Sequence, residues 1–260
     1  RNKMSLITSY KRLLRNIVPS RLIAYAVMKR EHPDYGWKDI VLKSRLVRGA
    51  CLKSYTDSFV IQTEKMYKKI KIDIQGDYVY PYDSWVGRIV HRKKTMITSV
   101  TVDYKTVLES SLKNLSEHLK TEAKESFCQR ETQMICLVYG LRDRILNEIS
   151  VRNDVRANEI VRYLEGMLDR KPESLDEAIQ KLLFYNALFW QAGHWQNGLG
   201  RLDMVLAPYY EADIQKGIIS RDTVKKMIRE MCVILGRDMK AKSRALIGDT
   251  GQYILIGGVD

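Results

Sequence analysis

The sequence lacks any run of about 18 consecutive apolar residues, the length that a bilayer-spanning helix requires, so no membrane span is expected. No basic, apolar and small-residue leader opens it, so secretion is unsupported; a first residue of Arg1 suggests numbering that begins inside a longer product. Cysteine is sparse. Cys51, Cys128, Cys136 and Cys232 form no C-x-x-C pair and have no histidine close in sequence. A structural zinc site draws on closely spaced ligand pairs, so no metal site is expected. Unclustered cysteines in a chain of this size suit reduced, apolar-like thiols in a cytoplasm. No low-complexity linker divides the chain and no period of about 20–50 residues repeats. The 260 residues suffice for a sizeable core, as one large domain or two small ones.

Charge is plentiful but unevenly signed. Lys and Arg number 44 against 31 Asp and Glu, a net +13. Such a surface attracts polyanions by counterion release. The cations are nevertheless scattered, and the tightest cluster is Arg92-Lys93-Lys94, so a solvated basic surface is expected rather than a nucleic-acid partner.

Periodicity points to helices. Leu6 to Val18 and Leu22 to Met28 form two helical runs broken at Pro19; His32 to Lys38 reads as a turn, and Val41 to Ile61 as a helix. Ile70, Ile72 and Ile74 alternate as in a strand, and Arg88-Ile89-Val90 could form another. Val107, Leu108, Leu112, Leu115 and Leu119 are expected on one helix face. Further helices cover Met134 to Ile149 and Ile160 to Leu168. Ser174 with Glu177 is a capping-box pattern that starts a helix at Leu175. A helix from Leu202 contains Pro208, which either kinks it or marks its first turn, and Gly217 closes it. Ser220 starts the last helix, through to Gly236. Tyr253 to Ile256 reads as a buried strand. It pairs with the weak strands near 70–74 and 88–90, or its partners are missing.

Chemistry-bearing residues concentrate in Trp190 to Gly217, WQAGHWQNGLGRLDMVLAPYYEADIQKG. Phe184, Phe189 and Trp190 suit core packing, and His194 beside Trp195 is the best polar candidate. No serine or cysteine nucleophile can be paired with that histidine. Arg201 and Asp203 lie two apart, too close to face one another on a helix, so each is expected to pair elsewhere. Gly200-Arg201 at a helix start suits a structural anchor as well as a ligand clamp. Asp249-Thr250-Gly251 occurs once, without the second copy that a shared-proton carboxylate pair needs. Gly248 to Gly251 lacks the Lys-Ser/Thr of a phosphate loop.

The order Asn197-Gly198, Gly200-Arg201-x-Asp203, Pro208-Tyr209-Tyr210 and Asp213-x-x-x-Gly217-Ile218-Ile219 resembles the amino-terminal half of the glycyl radical enzymes, the pyruvate formate-lyase superfamily. The tail GDTGQYILIGGVD and, more faintly, YDSWVGRI and TSVTVDYKTVLESSL are similar to further segments of that family. The resemblance implies an α/β fold: a mostly helical segment belonging to a ten-stranded α/β barrel, with residues 1–260 a single incomplete domain of helical shell and first barrel strands. It implies a formate acetyltransferase or a radical lyase or dehydratase, in which a cysteine thiyl abstracts hydrogen from a small polar metabolite. The Arg-Val-x-Gly-aromatic radical motif and the barrel cysteine are absent, so no catalytic residue is expected in this chain and it should be inactive alone.

By the same resemblance, His194, Trp195, Gln196, Gln252 and Tyr253 are expected to line a substrate pocket, with Gln252 inward toward Trp195 and Tyr253 outward. Gly200, Arg201 and Asp203 are expected to be structural. No cofactor is expected to be bound by the chain itself. The glycyl radical of the parent would be installed by an iron–sulfur S-adenosylmethionine activase. Implied partners are that activase, the carboxyl-terminal half, a second copy in a homodimer and a small-molecule substrate. Ser99 stands where the dehydratase branch has histidine, and Lys105 or Thr106 where pyruvate formate-lyase has arginine. The competing reading is a non-catalytic helical scaffold whose basic surface meets nucleic acid or a protein.

Overall fold

The computed structural model describes residues 55–83, 100–121, 125–192, 197–237 and 254–257. All of them belong to the second of two compact units, Val47–Asp260; the first, Arg1–Leu46, lies outside the described residues. In chain order the described elements are α1 (Tyr55–Tyr67), β1 (Val100–Thr101), α2 (Tyr104–Glu109), α3 (Leu112–Leu119), α4 (Glu125–Ile149), α5 (Val155–Gly166) and α6 (Leu175–Gln191). There follow β2 (Asn197–Gly198), β3 (Gly200–Arg201), α7 (Leu202–Gln215), α8 (Arg221–Leu235) and β4 (Ile254–Leu255).

Helix α6 organises the unit, because every residue of it except Tyr185 and Phe189 is buried. A helix buried all round must be core. On one side Phe184 and Leu188 join Met66, Ile70, Leu141, Ile145, Ile160 and Leu164 from α1, α4, α5 and the chain after α1. On the other, Ile179 and Leu183 join Tyr104, Leu108, Leu206, Met231 and Ile234 from α2, α7 and α8. Phe184 and Trp190 are thus core residues, as expected, whereas Phe189 is only half-buried.

The start of α6 shows how its exposed donors are satisfied. Ser174 Oγ accepts from the Glu177 N–H at 3.2 Å. The Glu177 carboxylate does not close the reciprocal half of the box. It accepts instead from the Glu173 N–H at 2.8 Å and pairs with Arg170. The Leu175 N–H goes to Asp213 of α7 at 2.8 Å. Side chains from separate parts of the chain therefore pair first-turn donors that the helix cannot satisfy itself.

Polar residues of α6 hold an extended segment along its flank. Tyr78 Oη donates to Asp176 at 2.6 Å. Gln180 accepts from the Val79 N–H and donates to its carbonyl, both at 2.9 Å. Tyr80 Oη donates to Asn186 at 2.9 Å, and Gln191 accepts from the Asp83 N–H at 2.8 Å. Contacts advance together along both elements. These amides thus do for the segment what a neighbouring strand would do.

Several expectations change. Burial alternates at Ile70, Ile72 and Ile74, the first two being buried and the third half-buried, but the segment joins no described ladder. The helix read over Val41 to Ile61 is described only from Tyr55, and it continues to Tyr67. The single helix face from Val107 to Leu119 is two helices. Ser110 is extended at the end of α2, and Ser111 starts α3 by accepting from the Asn114 N–H. Leu115 is consequently 46% exposed. Pro208 lies inside α7, beyond its first turn. Gly217, at φ 66°, closes that helix, with the Ile218 N–H reaching the Asp213 carbonyl at 2.9 Å. The helix from Ser220 to Gly236 is as expected, with those two residues as its caps. The runs before Tyr55 and at 88–90 lie outside the described residues.

Candidate functional site

Beyond α6, residues 197–201 form a line of backbone shared by two parallel ladders. β2 pairs with β1, Val100 opposite Asn197 and Thr101 opposite Gly198. One residue later β3 pairs with β4, Gly200 opposite Ile254 and Arg201 opposite Leu255. Among the described residues the terminal strand therefore finds its partner in the glycine-arginine step, not in the segment expected near 70–74, while 88–90 lies outside the described residues. Nor is the terminal strand buried: Leu255 is 59% and Ile256 79% exposed. Gly200 is required here twice. Its φ is 61°, and a Cβ on it would lie 2.9 Å from Thr101 Cγ2 across the first ladder.

Arg201 and Asp203 face each other after all. Arg201 Nε donates to Asp203 Oδ1 at 3.0 Å and Nη2 to Oδ2 at 3.1 Å. The expectation assumed that both lie on a helix, but Arg201 is still in β3 and α7 begins after it, so the backbone turns one side chain toward the other. Asp203 Oδ2 also accepts from the Gly257 N–H at 2.9 Å, just beyond β4. The carboxyl is held well below the usual range, first by the Arg201 hydrogen bonds and then by that N–H. One carboxylate thus ties the end of β3 to the residues that follow β4. Neither side chain is buried: Arg201 is 33% and Asp203 28% exposed.

Behind the first ladder lies a network of neutral polar groups. Asn186 accepts from Tyr80 and donates to Tyr104 Oη at 2.9 Å. Burial pushes the Tyr104 hydroxyl up to about 12, with the Asn186 and Asn197 carboxamides pulling the other way. Asn197 approaches that hydroxyl without reaching it in hydrogen-bond geometry. Its side chain is buried, at 2% exposure, and neither Oδ1 nor Nδ2 has a partner.

Of the residues singled out in the sequence, Gly200, Arg201 and Asp203 meet at one joint. His194, Trp195, Gln196, Gln252 and Tyr253 lie outside the described residues. Cys128 and Cys136 lie on α4 and Cys232 on α8, all free. Asn197 and Tyr104 were overlooked. Asn197 stands in a Gln-Asn-Gly sequence that reads as turn chemistry, and Tyr104 in a helix start that reads as packing. The available signal was α6 itself, a core helix carrying Asp176, Gln180, Asn186 and Gln191, which need buried partners.

Comparison with known proteins decides the family. The family model described as pyruvate formate lyase-like matches residues 96–260. The chain belongs to the pyruvate formate lyase-like family. Within it, the chain is 26% identical over 143 residues to the 4-hydroxyphenylacetate decarboxylase glycyl radical subunit of Clostridioides difficile (strain CD196), covering 48% of this chain and 16% of that protein. It is 28% identical over 132 residues to the subunit of the same description from Clostridium scatologenes, covering 47% and 15%. The chain therefore spans only about a sixth of the length of these relatives.

Solved structures agree on fold. A glycyl radical enzyme from Archaeoglobus fulgidus superposes with TM-score 0.53 at 20% identity, over 79% of this chain and 28% of that one. The glycerol-bound B12-independent glycerol dehydratase from Clostridium butyricum gives TM-score 0.53 at 16% identity, over 79% and 28%. The expected fold class holds: this is a mostly helical segment of the α/β barrel type that the glycyl radical enzymes share. Among the described residues no helix is long and apolar enough to cross a membrane.

Proposed function

We propose that this chain is the amino-terminal part of a glycyl radical enzyme, a helical shell and first barrel strands that act with a carboxyl-terminal half and are inactive alone. The parent would be a formate acetyltransferase or a radical lyase or dehydratase, working in the cytoplasm on a small polar metabolite. The observation that carries this is the family match over residues 96–260, which spans both ladders and the joint at Gly200 to Asp203.

The chemistry of the parent is hydrogen abstraction by a cysteine thiyl that a glycyl radical regenerates. The described cysteines all lie on helices, and the Cys232 thiol is pushed up by burial. The sequence holds no Arg-Val-x-Gly motif. What this chain contributes is shape: strands, a buried backing and the segments that bear His194, Trp195, Gln196, Gln252 and Tyr253. The β3–β4 ladder supports placing those segments in one pocket, because it sets Gly200 opposite Ile254, four residues after Gln196 and one after Tyr253. The remaining partners are an activase, which would install the radical, and a second copy of the parent.

The test is electron paramagnetic resonance. The 260-residue chain is incubated anaerobically with a glycyl radical activase, with and without a separately supplied carboxyl-terminal half from a relative. A glycyl doublet is expected only with the second half present. A doublet from the chain alone would sink the reading.

A further inference from the structure

We propose that the Asn197 carboxamide and the Tyr104 hydroxyl form a binding position for a neutral hydroxyl group of the substrate. The inference deepens the reading above and rests on it. It starts from a buried amide left without a well-formed hydrogen bond among the described residues: Asn197 is 2% exposed, and neither of its polar atoms has a partner in hydrogen-bond geometry. Native interiors pair such groups almost always, and the exceptions call for a ligand, a water or a function. Replacing an unpaired buried amide by an apolar group of the same shape would cost nothing and would often stabilise.

The surroundings specify what fits. Tyr104 Oη accepts from Asn186 Nδ2, so its own proton is available. Asn197 offers one acceptor, Oδ1, and one donor group, Nδ2. A hydroxyl can accept from Nδ2, and from Tyr104 as well, while donating to Oδ1, and so uses both sides of the amide. A carboxylate can only accept, and would leave Oδ1 unsatisfied. The network behind the position, Tyr80, Asn186 and Tyr104, is neutral at pH 7 and supplies no cation to hold an anion. A neutral alcohol is therefore favoured over an acid at this point.

The backbone holds the position rigidly. Asn197 is fixed by its ladder to Val100. Tyr104, 1% exposed, starts α2 directly after the other strand of that ladder, and Asn186 is seated on the core helix α6. A hydroxyl set between them would thus be oriented by three elements, the condition for precise placement of a reacting neighbour.

Two measurements on the 260-residue chain test this, and neither needs a radical, so a failure here leaves the resonance test of the family reading untouched. In thermal melts, Asn197→Leu is expected to raise Tm by about 2–4 °C, and Asn197→Ala to leave it nearly unchanged. A clear loss of stability in both variants would show that the carboxamide already has a structural role, and would overturn the proposal. In [15N]asparagine-labelled chain, the Asn197 side-chain signals are identified by their loss in Asn197→Leu and followed during titration with glycerol and, separately, acetate. Glycerol is expected to shift them selectively among the asparagine signals, Tyr104→Phe to weaken that response at least several-fold, and acetate to have no effect. No response to glycerol, an equal response to acetate, or a response untouched by Tyr104→Phe would each overturn it.

Discussion

Replacing Lys181 with methionine tests the balance of forces in the core most directly. Lys181 is 0% exposed, and its Nζ donates to the carbonyls of Leu108 at 2.9 Å, Ser110 at 3.1 Å and Arg170 at 2.9 Å. It thus ties α6 to the end of α2 and to the turn after α5. Burial pushes its ammonium down from 10.5 to about 8, against the pull of Glu177. At about 1.4 kcal/mol per pH unit, that burial costs about 3 kcal/mol below pH 8. The charged hydrogen bonds contribute about 1.5–3 kcal/mol each, and breaking them strands three buried carbonyls. Lys181→Met should therefore destabilise the chain by about 2–5 kcal/mol at pH 7, read from urea unfolding followed by tryptophan fluorescence.

The pH dependence provides a second check on the same residue. The folded pKa lies below the unfolded one, so between pH 8 and 10.5 the unfolded chain holds a proton that the folded chain has released. Raising the pH through that window stabilises the folded wild type and does nothing through this group to the methionine variant. The stability gap between them should widen by up to about 3 kcal/mol. Tyrosine titrations affect both proteins alike and cancel in the difference. A variant as stable as the wild type at pH 7 would refute the bonding account. A gap that narrows as pH rises would refute the dominance of burial.

Gln180→Leu removes the amide that clamps both backbone groups of Val79, and should cost about 2–4 kcal/mol, with hydrogen exchange at the Val79 amide accelerated well beyond that at α4; an unchanged Val79 rate would show that the segment holds itself. Gly200→Ala should lower Tm strongly through both its φ of 61° and the 2.9 Å approach to Thr101 Cγ2. Adding Thr101→Ser, which deletes that methyl, should restore part of the loss, and complete additivity would rule out the clash. Arg201→Ala should lower Tm by only about 2–4 °C, since the side chain is 33% exposed; a drop several times larger would mean that it anchors far more than Asp203 and β4.

Local chemistry determined the helices from Leu175 onward. Ser174 and Ser220 start them, and Gly217 and Gly236 end them, because caps act through neighbouring backbone groups and so can be read without knowing the fold. The family, too, was legible, since the order and spacing of Gly200, Arg201, Asp203 and Gly217 survive in one dimension. Pairing between distant segments was not. Nothing near Ile254 announces that Gly200 lies opposite it, and the strands have two residues each, too short for an alternating pattern. The break between α2 and α3 was hidden because their apolar spacing continues across Ser110 and Ser111, where the chain leaves the helix. Arg201 and Asp203 were assigned separate partners on helix geometry, and only the strand-to-helix turn between them allows their pairing. The buried amides of α6 and the orphan carboxamide of Asn197 depend on which surfaces the fold closes over them. Burial, unlike capping, is a property that tertiary structure alone decides.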